Sequence, residues 1–404
     1  MFSQKDKALL SILAHKLFSA NRQGFERIDW DEVLKEADQQ AVLPFVMSDI
    51  KEKISGDGRF EKYKQKNAQY DKKSIINLHY HHMLHHWLQD ADIPYVIIKG
   101  AASAYYYKEP LLRCSGDVDF LIKEQDKLKV NELLSGKGFV KNPIMEKHEF
   151  HWAYEKNGIE FEMHWDLPGL PEKGKERMQK YVDHLLEQSC QVALGGGKMV
   201  IPDKFHHGII ILLHTISHLT GGGIGLRHLC DWLAFENSLD EAEFLELFQK
   251  PFMDMGLWKF AKVLTKIGVS YLGCDKREWC ENVDDDLCEK LLEDILDAGN
   301  FGYKDDLRKS QSKLIRKNDG GVVEHNSWIF NLLANMNYRT SRKYDFLYRS
   351  VLLRPIGWLC VGMEYLLLVL FGERNNVFNK KIIHGAQARQ KVYEALRLFE
   401  AEED

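Results

Sequence analysis

No two cysteines in this 404-residue chain have the Cys-x-x-Cys spacing of a zinc or dithiol site. The seven present (Cys114, Cys190, Cys230, Cys274, Cys280, Cys288 and Cys360) are odd in number and scattered, so a disulfide framework does not organise the fold. Basic excess is missing too. Lys and Arg number 55 against 60 Asp and Glu, a net charge of −5, which excludes bulk electrostatic binding to nucleic acid while leaving room for a local basic patch. The first residues lack a signal-peptide layout, and a reducing cytoplasm is the expected compartment. No internal repeat or low-complexity tract appears. No apolar run reaches the roughly twenty residues of a membrane span. Trp358–Phe371 is about fourteen residues long and contains Glu364. It is expected as a buried helix. Contact with a membrane surface or a partner through 355–371 is the alternative, because Arg342, Lys343, Arg349 and Arg354 precede it and Arg374, Lys380 and Lys381 follow.

What is present is an ordinary folded composition, 45% hydrophobic and 28% charged, in a chain long enough for two or three domains. Its most informative stretch is Arg113-Cys114-Ser115-Gly116-Asp117-Val118-Asp119-Phe120-Leu121-Ile122. The apolar residues read as a strand, so Asp117 and Asp119 share a face with Cα atoms roughly 6.5–7 Å apart. Two carboxylates so spaced can converge on a hard cation such as Mg²⁺. Upstream, Tyr95–Ile98 reads as a short buried strand, Lys99-Gly100 as a turn and Ala101–Tyr107 as a helix start, together an anion-ready layout. Downstream, Gln125–Lys137 reads as a helix. His148–Tyr154 and Ile159–Trp165, joined through Lys156-Asn157-Gly158, read as a hairpin. Glu160, Glu162 and His164 share one face of its second arm. If that arm lies beside the Asp-x-Asp strand, Glu162 becomes a third carboxylate.

Elsewhere helices dominate. Residues 1–90 read as helical, with a capped start at Asp29 and a histidine-rich segment (His79, His81, His82, His85, His86) expected at a solvated or interface surface and not at a metal. Phe205–Leu219 is an apolar helix whose His207, His214 and His218 fall on one stripe. Gly221-Gly222-Gly223 then breaks the chain, and Leu226–Phe235 resumes as a helix in which Arg227 and Asp231 could pair at i,i+4. These histidines are expected either in a polar core or on a wall facing the acidic sheet. Further helices fill 240–300, with the acids Glu278, Glu281 and Asp284–Asp286 on a solvated face. Residues 305–325 read as a basic loop, and the charged segment after Gly385 as an exposed helix.

Three carboxylates on adjacent strands beside a glycine turn suit phosphoryl or nucleotidyl transfer, in which two cations clamp the attacking and leaving oxygens. Lys99 and Arg113 are the candidates to face the leaving pyrophosphate. The series Ile97-Ile98-Lys99-Gly100-Ala101-Ala102, Leu112-Arg113, Asp117-Val118-Asp119-Phe120-Leu121-Ile122 and Glu162-Met163-His164-Trp165 resembles the uncharacterised nucleotidyltransferase family of the DNA polymerase beta superfamily. His214, His218, Arg227 and Asp231 resemble its helical part, and the likeness covers roughly 75–235.

The resemblance implies an α+β fold in which a small mixed sheet is flanked by helices, with further mainly helical regions. The expected organisation is an N-terminal helical region (1–90), the nucleotidyltransferase-like α/β core (91–200), a helical domain (201–300) and a C-terminal helical region with the apolar helix (301–404). The implied activity is Mg²⁺- or Mn²⁺-dependent transfer of a nucleoside monophosphate from an NTP, ATP being the first candidate. The acceptor hydroxyl or phosphate would sit on a small molecule, sugar, peptide or protein. Asp117, Asp119 and Glu162 would be catalytic and metal-binding, and Lys99, Gly100, Arg113, Ser115, His164, His214, His218 and Arg227 nucleotide-binding. Where the wider superfamily has Gly-Ser, Ala101 follows Gly100, with Ser103 nearby in the helix. This departure motivates the alternative of a catalytically degenerate nucleotide-binding or regulatory module. A metal-dependent phosphohydrolase using the His and Asp groups is a third expectation.

Overall fold

The two acid-bearing strands lie side by side. The computed structural model describes all residues except 1, 26–27, 53, 55, 144–150, 172–173, 316–327, 372–378 and 403–404, together with the backbone alone of 328–332. Its strands are β1 (Tyr95–Ile97), β2 (Val118–Ile122), β3 (Val140–Lys141), β4 (His151–Lys156), β5 (Ile159–His164), β6 (Cys190–Leu194) and β7 (Gly197–Ile201). Five form one mixed sheet in the order β1-β2-β5-β4-β3, and β6 and β7 pair separately. β2 and β5 run parallel with Asp119 opposite Glu162, while the other neighbours are antiparallel. The β4–β5 hairpin turns at Asn157 and Gly158, whose φ angles of 53° and 75° are those a two-residue turn of this hand requires. The expected start of its first arm, His148, lies outside the described residues.

Alternation splits the sheet into two faces. Val118, Phe120, Ile122, Phe161 and Met163 pack with Leu84 and Leu88 of the helix Glu61–Asp90 and with Val130 and Leu134 of the helix Lys127–Gly136. The opposite face carries Asp119, Glu162 and His164, and beside them Val96, Ile98 and Leu121 join a larger, helical core. That core unites Leu9, Phe45, Ile209, Trp232, Leu264, Leu291 and Tyr393, side chains drawn from both ends of the chain. Fully burying one such side chain contributes about 1.5–3 kcal/mol.

Polar anchors fix these layers. Gln40 is fully buried; its Nε2 donates to the Leu296 carbonyl at 2.9 Å, and its Oε1 accepts from the Leu226 N–H at 2.9 Å. The histidine-rich segment is an interface: His82 Nε2 meets the Leu194 carbonyl and His85 Nδ1 the Tyr95 hydroxyl, each at 2.8 Å. The acids Glu278, Glu281 and Asp284–Asp286 are exposed.

Three expectations are corrected. The C-terminal helix Lys380–Leu396 is not an exposed tail. Its Tyr393 is fully buried, bonding the Leu219 carbonyl and Asp294, and its Arg389 donates to the Arg308 and Leu219 carbonyls. Its charges hid a face that is polar yet satisfied. Within 305–325, Arg308–Ile315 is a helix, and 316–325 lie outside the described residues. The apolar helix Arg354–Leu370 is not core: it buries Gly357 and Val361 and leaves Leu359, Met363, Leu366 and Leu370 more than half exposed. Hydropathy gave it an apolar surface but could not supply the element to cover it. No helix among the described residues is long and apolar enough to cross a membrane.

His207 occupies the helical core with no exposure, against Tyr106 and Phe235, and neither ring nitrogen has a polar partner. Burial pushes its pKa down from 6.5 to about 3. The unfolded chain therefore binds a proton that the folded chain refuses. Stability present above the unfolded pKa is lost as pH falls toward the folded one, by about 2 kcal/mol near pH 5. In denaturant titrations, His207→Phe should hold stability near its neutral value and flatten this acid-side loss by about one proton's worth of slope.

Candidate active site

Asp119 is almost completely buried in mid-β2. Its Oδ1 accepts from Lys99 Nζ at 2.8 Å and lies 3.2 Å from His164 Nε2; its Oδ2 is buried without a partner. Glu162, register-paired on β5, lies 3.9 Å from Lys99 Nζ and 3.4 Å from His164 Nε2. Burial pushes the Asp119 carboxyl up, but the Lys99 ammonium and the His164 hydrogen bond outweigh it and hold it well below the usual carboxylate range. Glu162 is raised, chiefly by burial and then by its neighbour Asp119. Burial lowers the His164 pKa and its two carboxylate contacts raise it, with a net rise. Asp117, in the turn just before β2, is raised by Asp119 first and by burial second. The Asn77 side chain fixes this turn, donating to the Asp117 carbonyl at 2.9 Å.

Ligand atoms of Asp119, Glu162 and His164 lie within 4.8 Å of one another. Two carboxylates and an imidazole, with a buried carboxylate oxygen left unpartnered, fit a divalent cation of the Mg²⁺ or Mn²⁺ class. Gly100 stands at the edge of this cluster with φ 57°, where a Cβ would come within 3.4 Å of the Asp117 carbonyl. The helix after it is a single turn, Ala101–Ala104, so the helix dipole expected there contributes little. Ser103 is buried within that turn, and Ser115 is half-buried in the segment leading to Asp117.

Facing the acids is a wall from the helices Lys204–Thr220 and Leu226–Glu236. His214, His218 and His228 cluster with ring centroids 4.3–5.9 Å apart, and Phe301, at φ 58°, packs on His218 and His228. Their nitrogens are close enough for a metal. His228 Nδ1, however, accepts from the Gly225 N–H at 3.3 Å, so in the neutral ring the proton sits on Nε2. A ligating histidine instead donates its second nitrogen to an acceptor. Burial holds His228 well below its ordinary pKa, hence neutral, and leaves Nε2–H as a buried donor without an acceptor. Arg227 adds a second: its Nη1 donates to the Cys114 carbonyl at 3.3 Å, its plane lies 5.1 Å from the Phe301 ring centre, and its buried Nε has no partner. With Nδ1 taken by the Gly225 N–H, His228 offers a donor and not a metal ligand.

The sequence-derived set thus divides. Lys99, Asp119, Glu162 and His164 come together, Asp117 lies within electrostatic reach of Asp119 and Lys99 but outside the close group of ligand atoms, and His214 and Arg227 are within electrostatic reach of the same acids. His207 lies instead in the apolar core. Arg113 is buried and bidentate to Asp231 at 2.7 and 2.8 Å, with Nη1 on the Cys114 carbonyl and the Tyr107 hydroxyl on Asp231 at 2.7 Å. Asp231 therefore pairs with Arg113 and not with Arg227 as the i,i+4 spacing suggested, and Arg113 is a tie between sheet and helices instead of an open phosphate contact. Asn77, His228 and His151, which stacks on His164 at 5.1 Å, were missed as site residues. Only the register of β4 on β5 could have pointed to His151.

A mixed sheet holding paired carboxylates against a donor-bearing helical wall defines a nucleotidyltransferase-type core. A profile of the family described as "Uncharacterised nucleotidyltransferase" matches residues 26–267, well beyond the 75–235 of the sequence likeness, and the chain belongs to that family. No curated protein matches. Among solved structures, an antigenic nucleotidyltransferase-like protein from Paracoccidioides brasiliensis is similar at 17% identity over 51% of this chain and 92% of that one, with a TM-score of 0.31.

Truncating Arg113 tests its assignment. Arg113→Met leaves the Asp231 charge buried with only the Tyr107 donor, and should cost about 3–5 kcal/mol in denaturant unfolding. A purely phosphate-binding arginine would leave stability unchanged.

Proposed function

We propose that the protein transfers a nucleoside monophosphate from an NTP to an acceptor hydroxyl or phosphate, supported by a divalent cation. The observation that carries this is the pairing of Asp119 with Glu162 across parallel strands, with a buried Asp119 oxygen left unpartnered. Asp117, Asp119 and Glu162 would hold the cation, whose chemistry is to neutralise phosphate charge and lower the pKa of the attacking oxygen. Lys99 keeps the buried Asp119 carboxylate charged and would be the ammonium available to the phosphates. His164 orients both carboxylates through one nitrogen. Gly100 lets the backbone pass close to the Asp117 turn, where a side chain would crowd an approaching phosphate. On the opposite wall, Arg227 Nε–H and His228 Nε2–H offer donors to phosphate or acceptor oxygens, with His214 and His218 beside them. Position and charge then supply most of the catalysis.

Incorporation of α-labelled nucleotide tests the proposal. Each of the four NTPs is offered with Mg²⁺ or Mn²⁺ and a cell extract as acceptor source. Wild type should label a product, and Asp117→Asn and Asp119→Asn should each lower the rate by on the order of a hundredfold or more. No label from wild type with any NTP, or equal label from both variants, would refute it. Gly100→Ala, forced to a left-handed φ that alanine avoids, should weaken nucleotide binding on the order of tenfold in direct titration while the circular dichroism spectrum stays native.

A further inference from the structure

The least satisfied surface of the molecule lies far along the chain from its acids. Helix Arg354–Leu370 packs one face on helix Trp328–Lys343: Gly357 sits against Thr340, Trp358 Nε1 donates to Asn337 at 2.8 Å, and Glu364 binds Lys343 and the Tyr344 hydroxyl at 2.6 Å each. The other face carries Ile356, Leu359, Met363, Leu366 and Leu370, a 3-4-3-4 stripe of which every member is at least half exposed. Apolar exposure continues past both ends of the stripe, through Phe346, Val351 and Leu352 before it and Leu367 and Phe371 within and after it; Leu352 is 89% exposed. A patch this continuous marks an interaction surface.

Charge selects the occupant. Between residues 339 and 371 five Lys and Arg stand against two Asp and Glu, in a chain whose net charge is −5. Two copies meeting through this face would bring like-charged segments together. The stripe spans about two heptads, short of the three to four that sustain a coiled coil. The exposed apolar turn Val351–Leu353 also continues the patch before the helix begins, where a partner helix laid along the stripe would leave it uncovered. A planar, anionic, apolar-cored surface meets all three features.

We propose that residues 346–371 form an interfacial anchor that lays this helix on an anionic lipid bilayer. The apolar stripe and the 351–353 loop enter the acyl boundary, and Arg349 and Arg354 face the headgroups. The helix lies on the membrane and does not cross it.

Flotation of the full chain with vesicles tests the anchor. Phosphatidylcholine vesicles are compared with vesicles containing phosphatidylglycerol, at low and high salt. The expected result is binding to the anionic vesicles that falls with salt. The triple variant Leu359→Gln, Met363→Gln, Leu366→Gln should bind on the order of tenfold or more weakly, with an unchanged circular dichroism spectrum because these side chains are more than half exposed. Arg349→Gln, whose partner Asp345 is also exposed, should reduce binding to anionic vesicles alone. No flotation with either vesicle, binding undiminished in the triple variant, or a wild-type dimer in sedimentation that the triple variant dissolves would overturn the proposal, the last by assigning the face to a second copy.

Discussion

A buried carboxylate must be compensated, and Asp119 sets that requirement for the whole site. It is 1% exposed in the centre of a sheet, and it stays ionised because Lys99 reaches it from the end of β1 and His164 from β5. These contacts demand that β1 and β5 flank β2, which is the order the sheet adopts. They also fix the register, since sliding β5 by one residue would turn Glu162 and His164 into the apolar core. Asp119 Oδ2, left without a partner, is the point where this compensation is incomplete and where a cation would finish it.

The helical body answers the sheet with a second buried ion pair. Arg113 leaves the Asp-x-Asp segment and locks onto Asp231, with Tyr107 as a further donor. Because both charges are buried, the segment carrying Asp117 and the helix carrying Arg227 and His228 are held at a fixed spacing. Asn77 steadies the same segment from the other side. The site is therefore bounded by groups whose positions are set by satisfied polar contacts, while two donors beside it, Arg227 Nε and His228 Nε2, are buried without a partner.

At the other end of the chain, apolar surface plays the part that charge plays in the cleft. Helix Lys380–Leu396 looked exposed by composition and is locked into the core by Arg389 and Tyr393. Helix Arg354–Leu370 looked like core by composition and shows its leucines to solvent. Composition reports what a face could bury, and only the packing shows whether anything in the chain covers it.

The strand-forming alternation at Val118–Ile122 and Ile159–His164, the Asn157-Gly158 turn and the helix cap at Asp29 were legible because each depends on residues adjacent in sequence. The same local chemistry was enough to put Glu162 with His164 on a common face, whereas Asp117 precedes β2 and stands outside the close group of Asp119, Glu162 and His164. Which faces met was not local. The parallel pairing that sets Asp119 beside Glu162, the choice of Arg113 over Arg227 as the partner of Asp231, and the gathering of His228 and Phe301 around His214 and His218 all join residues far apart in the chain. The stripe that placed His207 with His214 was real as spacing, but the helix packs His207 on Tyr106 and Phe235 and His214 on His218, so its two ends have different surroundings. Sequence determined which chemistry was available on each element, and tertiary structure decided which of those groups were buried, paired or left open, because burial and pairing are properties of neighbours and not of order along the chain.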